Sequence, residues 1–331
     1  MAKPPIKKGK LRDSRKPIGI VIDTNVVKLV VEYDMLSELC STDLIKIKKA
    51  FGVEIDLKGN TFYISGDVQH CRKAAIVLEK IFDWIDSELV IADEDIDDVI
   101  SEYLPRPYGD TKFRAIYTTH DGKEISPRTK NQESIVKNIK YKKLTFVAGC
   151  AGGGKTLFAL VMGLKYLNEG RYDNIRVCRP LVHVGGKDAL GFMPGDLDEK
   201  IANYYETIVH ELINLVGIKE YEQLLAEKKI IFTPVSFLRG ATLDNSYVII
   251  DEIQNLSSME LRTILSRFGT HSKYVCCGDS SQTDLKSKDE NSLDACVKKL
   301  GDLEDVGVVK ITKDDIQRSR IVMDIIEAFE E

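Results

Sequence analysis

No run of apolar residues in this 331-residue chain approaches the roughly 20 that a helix needs to cross a bilayer, so a membrane-spanning protein is not expected. Nor does an apolar stretch follow the basic N-terminus, MAKPPIKKGKLRDSRKP, as a secretory signal would require. No CxxC pair occurs among Cys40, Cys71, Cys150, Cys178, Cys276, Cys277 and Cys296, and seven is an odd number. A disulfide framework and a zinc site are therefore not expected. Cys276 and Cys277 sit in an apolar, strand-like run, and reduced core thiols suit the cytoplasm, the expected compartment. There is no excess of positive charge either. The net charge of -5 argues against a uniformly basic nucleic-acid binder, while leaving room for a local basic face.

What is present reads as a globular protein of ordinary composition, 43% hydrophobic and 30% charged. The length suits one large domain and a small one. Residues 1–17 hold seven Lys or Arg and one Asp, a basic arm open to solvent or to a phosphate backbone. From residue 18 to 105 the pattern is that of a small α+β domain. GIVIDTNVV, from Gly19, resembles the opening of a PIN nuclease, but such nucleases gather three or four acids across a much longer domain to hold metal. A helical STDLIKIKKAF follows instead. Next comes a hairpin in which Val53, Ile55 and Leu57 alternate, Gly59-Asn60 turns, and Phe62 and Ile64 return. Ala74, Val77, Leu78, Ile81, Phe82 and Ile85 then recur at helical spacing. Helix, strand, strand, helix is a KH-like order, although the GxxG loop that clamps RNA in a KH domain is missing. Nine acids and no base between Asp83 and Glu102, with Ile91, Ile96, Val99 and Ile100 as an apolar stripe, predict an acidic-faced helix. YLPRPYG breaks the pattern, and the second domain is expected over residues 106–331. Within it, AIYTTHDGKEISPRTKNQ reads as a hairpin turning at Asp121-Gly122.

The chemistry is concentrated in FVAGCAGGGKTLFALVMG. Gly149, Cys150, Ala151, Gly152, Gly153, Gly154, Lys155 and Thr156 fit G-x-x-x-x-G-K-[ST], with a strand before and an apolar-faced helix after. Such a loop turns backbone N–H groups toward phosphate oxygens, and the helix N-terminus adds a favourable dipole. Lys155 is the candidate contact to the β- and γ-phosphates and Thr156 a ligand for Mg²⁺. YVIIDEIQN supplies a β-branched strand ending in Asp251 and Glu252. Asp251 is expected to hold Mg²⁺ through water, and Glu252 to orient and deprotonate the attacking water. KYVCCGDSSQTDL is a third strand ending in polar residues, of which Gln282 is placed to touch the γ-phosphate and the water, while Asp279 is expected to shape the loop. The Gln132 amide, ahead of the loop, has the paired donor and acceptor that read an adenine edge.

The ordered set TKNQ, GCAGGGKT, CRP, LGFMPGDLDEK, FLRGATL, VIIDEIQN, LSRFG and GDSSQTDL resembles the PhoH family of ATPases, and GVEIDLKGNTFYISGD resembles that family's KH-like N-terminal segment. The likeness runs over roughly residues 18 to 330. It implies an α/β fold, a RecA-like P-loop NTPase core with a parallel sheet, preceded by a small α+β KH-like domain. ATP and Mg²⁺ are the implied cofactors. Only one lobe is present, and the family is thought to form rings, so a homo-oligomer, a hexamer, would complete each site. The loop departs from the family in lacking its usual Pro and Thr, and His183 stands where an acid is common. Neither change removes a phosphate or metal contact. The arginines available for transition-state charge are Arg179, Arg239, Arg267, Arg318 and Arg320. Arg318 corresponds to a family arginine, and Arg239 is placed to act across a subunit interface.

Two functions stay open at this point. One is an RNA-linked, helicase-like ATPase in RNA metabolism or ribosome maturation, with single-stranded RNA and an endoribonuclease of the YbeY type as partners. The other is an ATP-driven protein-assembly switch without nucleic-acid contact. A kinase is disfavoured, because no acceptor-binding segment is identifiable.

Overall fold

The computed structural model describes residues 21–23, 26–33, 35–37, 39–87, 91–104, 113–180, 204–238, 240–279 and 292–316. The chain folds as two compact units, residues 1–108 and 109–331.

In the first unit, β1 (Val21–Asp23) pairs antiparallel with β2 (Val26–Val30), with Asp23 opposite Val26. Asp23, the first residue of the Asp-Thr-Asn stretch, thus ends a strand paired with β2. Helix α1 (Ser41–Phe51) ends on Gly52 in the left-handed region, and β3 (Glu54–Lys58) and β4 (Thr61–Ser65) form the hairpin that the alternation predicts. The sheet order is β1-β2-β4-β3, antiparallel throughout. Asp67 caps α2 (Val68–Asp86) by accepting from the Gln69 and His70 amides. Period-2 burial in the strands meets period-3.6 burial in α2, so Val27, Leu29, Phe62 and Ile64 pack against Ala74, Leu78, Ile81 and Phe82. The expected order of helix, strand, strand, helix is present as α1, β3, β4 and α2, extended by the β1–β2 hairpin on the β4 side.

The single acidic helix predicted over Asp83–Glu102 is not what forms. Its first acids end α2, and a separate helix α3 begins at Asp93 and runs to Tyr103. The second acidic cluster therefore falls on a helix N-terminus, where negative charge is favoured. Asp95 there accepts from the Ala92 amide at 2.9 Å. Ile96, Val99 and Ile100 are buried, as expected, and Ile91 is half-buried.

The second unit opens with the short antiparallel pair β5 (Tyr117–Thr118) and β6 (Glu124–Ile125), turning through Asp121-Gly122. Its body comprises α4 (Lys130–Tyr141), β7 (Leu144–Gly149), α5 (Lys155–Asn168), β8 (Asn174–Arg179), α6 (Glu206–Val216), α7 (Ile218–Ala226), β9 (Ile230–Pro234), β10 (Ser246–Ile250), α8 (Ser258–Leu265), β11 (Lys273–Gly278), α9 (Ser292–Leu300) and β12 (Val306–Ile311). The six longer strands form one parallel sheet in the order β12-β7-β11-β10-β8-β9. β7, β10 and β11 are apolar along most of their length because both faces of the sheet are covered. Ile135, Phe158, Leu164 and Leu212 pack on one face, and Leu238, Ile253, Leu261, Ile264 and Leu293 on the other. This is the RecA-like P-loop core expected from the sequence, and its strand order places the carboxyl ends of β7, β8, β10 and β11 side by side.

All seven cysteines are free. Burial pushes the Cys178 thiol up to about 12, which keeps it protonated and unreactive. Among the described residues, no helix is long and apolar enough to cross a membrane.

Candidate nucleotide-binding site

The site is built where β7 hands over to α5. Gly149 closes the strand with φ +134°, and a Cβ there would lie 2.0 Å from the Ile311 carbonyl of neighbouring β12, so only glycine fits. Gly152 (φ +86°) and Gly154 (φ +85°) also take left-handed values, and Lys155 then starts α5. Ala151, Gly152 and Gly154 line a cavity of about 380 Å³. The Lys155 ammonium folds back over the loop, donating to the carbonyls of Gly149 at 2.6 Å and Cys150 at 2.8 Å. A cation is therefore held against a run of glycine amides at a helix N-terminus, which is the arrangement a phosphate chain requires.

The Thr156 hydroxyl donates to Asp251 Oδ1 at 3.0 Å, joining the start of α5 to the end of β10. The other oxygen, Asp251 Oδ2, accepts from Arg179 at the end of β8, Nη2 at 2.7 Å and Nε at 3.0 Å. Arg179 Nη1 reaches Thr207 Oγ1 at 3.2 Å. Glu252 sits in the left-handed region at φ +58°, uncommon for a residue with a long side chain, and its carboxylate accepts from Gln254 Nε2 at 2.6 Å. Gly278 and Asp279, at the end of β11, complete that wall of the cavity. A hydroxyl and a carboxylate oxygen in contact, beside the phosphate loop, are hard oxygen donors of the kind Mg²⁺ takes. The residues present fit both a nucleotide triphosphate and its metal.

At Gln132, the candidate for an adenine edge, Oε1 accepts from the Arg128 amide at 2.8 Å and Nε2 donates to the Gly153 carbonyl at 3.2 Å. It is buried and braces the phosphate loop from α4. The start of α4 is itself anchored, since Asp315 accepts from Thr129 Oγ1 at 2.5 Å and Asn131 Nδ2 at 2.8 Å. The Arg267 guanidinium lies on the last turn of α8, bonded to the Thr263 carbonyl and Ser266 Oγ, and does not line the cavity. Gln282, Arg239, Arg318 and Arg320 lie outside the described residues.

Three cavity residues escaped sequence reasoning: Thr207, Ile208 and Glu211, all on α6. Burial pushes the Glu211 carboxyl up, against a smaller downward pull from Lys123. Their segment carries only an amphipathic pattern, and no local motif marks it.

The family described as PhoH-like protein matches residues 124–330. The chain is 31% identical over 291 residues to the PhoH-like protein of Bacillus subtilis, covering 86% of this chain and 89% of that one. It is 28% identical over 282 residues to the PhoH-like protein of Synechocystis, covering 84% and 85%. Protein PhoH of Escherichia coli K12 is 30% identical over 220 residues, covering 65% of this chain and 62% of that one. With a phosphate loop, an Asp-Glu strand end and this extent of likeness, the chain belongs to the PhoH family.

Proposed function

We propose that this protein is a Mg²⁺-dependent ATPase whose turnover is coupled to single-stranded RNA. The observation that carries the reading is the Thr156–Asp251 contact at 3.0 Å, in a cavity that Lys155 and Glu252 also line. Lys155 and the loop amides bind the β- and γ-phosphates. Thr156 and Asp251 hold Mg²⁺, which neutralises charge on the phosphate oxygens when bound. Glu252 orients the attacking water and accepts its proton, and Gln282 steadies that water from the β11 side. Arg179 already lies in the cavity, while Arg318 from the C-terminal segment and Arg239 from a neighbouring subunit add positive charge as the γ-phosphate leaves.

Coupling to RNA is supported by the basic arm of residues 1–17 and by Tyr63 on β4, over whose ring Lys58 and Lys28 place their ammonium groups at 5.5 and 5.8 Å from the centroid. In this reading a homo-oligomeric ring, a hexamer, completes each site from a neighbouring subunit, and an endoribonuclease of the YbeY type is the proposed protein partner. The test is the rate of ATP hydrolysis with and without single-stranded RNA, across a salt series. Stimulation that fades as salt rises supports the reading, because phosphate contacts release counterions. Hydrolysis indifferent to RNA at every salt concentration would favour the protein-assembly switch. No hydrolysis at all would reject the ATPase.

A further inference from the structure

We propose that Gln254 is a positioning residue that holds the Glu252 carboxylate and ties it to the main chain at the end of β11. Gln254 follows the Asp-Glu pair by one residue, on the 3-10 turn Ile253–Asn255. That turn buries both Ile253 and Gln254. Nε2 donates to Glu252 Oε2 at 2.6 Å, and Oε1 accepts from the Asp279 amide at 3.0 Å. The two partners fix which end of the amide is which, since a carboxylate only accepts and a backbone N–H only donates. Gln254 is 1% exposed, so its bond to the Asp279 amide is shielded from bulk water, while Glu252 stays open to the cavity.

The amide reaches β11 because residue 278 is glycine: a Cβ there would stand 2.9 Å from Gln254 Oε1. Glu252 and Asp279 both line the cavity, and Gln254 does not. It therefore acts on a bound water only through Glu252. Left-handed backbone at residue 252 aims the carboxylate, and the amide keeps it aimed, so the ends of β10 and β11 respond together.

The proposal rests on the ATPase reading for its kinetic arm and has a second arm that does not. Gln254→Leu keeps the volume and deletes both bonds. It should lower kcat roughly 10- to 100-fold, as a misaimed catalytic group does. Binding of a fluorescent ATP analogue with Mg²⁺ should stay within about twofold of wild type, since no phosphate or metal contact is touched. Gln254→Asn, whose shorter amide retains one bond, should recover part of the lost rate. Wild-type kcat in Gln254→Leu, or a dissociation constant that rises in step with the loss of kcat, would overturn the proposal. The second arm is hydrogen exchange at the Asp279 amide in Glu252→Ala and Gln254→Leu. Both should speed that exchange about tenfold or more, although residue 252 does not touch the amide. Wild-type exchange in Glu252→Ala would overturn the proposal whether or not the protein hydrolyses ATP, whereas absent hydrolysis in the wild type would instead remove the ATPase reading.

Discussion

The Arg179 guanidinium donates twice to one oxygen of Asp251, while Thr156 holds the other. Both charges are largely buried, with side-chain exposures of 14% and 5%. The carboxylate that fits a metal is thus already partnered by a cation from the adjacent strand, and Mg²⁺ must share it. Breaking a buried pair from one side costs about 3–5 kcal/mol, because the remaining charge is left uncompensated. Arg179→Ala should therefore lower unfolding stability by that order and tighten Mg²⁺ binding to the nucleotide-free protein. Calorimetric titration with Mg²⁺ checks this, and weaker binding in the variant would contradict it.

Asp315 gives a pH signature. Burial alone would raise its carboxyl, but hydrogen bonds from Thr129, Asn131 and Thr312 outweigh it and hold the group below its ordinary 3.8. The sign follows: a depressed carboxyl contributes stability above its unfolded value, and that contribution is lost as pH falls through the folded one. Asp315→Asn should cost on the order of 2 kcal/mol at pH 7, the scale of hydrogen bonds to a charged group. The difference from wild type should shrink below about pH 4. Urea unfolding at pH 7, 5 and 3.5 measures it, and a difference independent of pH would argue that Asp315 acts by packing alone.

Cys150 lies inside the phosphate loop and is partly exposed, whereas Cys71, Cys178, Cys276 and Cys277 are buried. Bound Mg·ATP should shield Cys150 from iodoacetamide while leaving the exposed Cys40 reactive. Lys155→Ala should lose that protection. Removing a buried charge partner costs about 2–5 kcal/mol, roughly 30-fold to several thousand-fold in affinity. Equal labelling of Cys150 with and without nucleotide, read by peptide mass, would place the phosphates elsewhere.

The ring is tested by mixing. Inactive Arg239→Ala and inactive Lys155→Ala subunits should regain activity together, because some mixed interfaces pair an intact loop with an intact finger. An arginine finger is worth about 10³- to 10⁵-fold in rate, so even sparse sound interfaces are measurable. A mixture as inactive as its components would indicate that each site is complete within one chain.

The parts of this protein that read clearly from sequence are those whose chemistry is contiguous. The phosphate loop, Lys155 and Thr156 occupy one strand-loop-helix segment, and Asp251 and Glu252 end an uninterrupted β-branched run. Composition alone cannot separate one acidic helix from the end of one helix followed by the start of another. The break between Asp86 and Asp93 is visible only in the structure, where Asp95 accepts from the Ala92 amide at a helix start. Glu211 and Thr207 arrive in the cavity on a helix whose pattern reports only that one face is buried. Asp315 meets Thr129 across 186 residues. No periodicity encodes such a pairing. Gln132 was visible as an amide at a telling position, yet which groups it bonds is decided by how α4 packs on the loop.

The central claim is that Glu252 takes the proton from water attacking a nucleotide held by Lys155, Thr156 and Asp251. Single-turnover hydrolysis of Mg·ATP by Glu252→Gln, measured beside its ATP affinity, addresses this most directly. The account predicts affinity within a few-fold of wild type and hydrolysis slowed about 100-fold or more, because an amide cannot accept the proton. Hydrolysis by Glu252→Gln at the wild-type rate would contradict it.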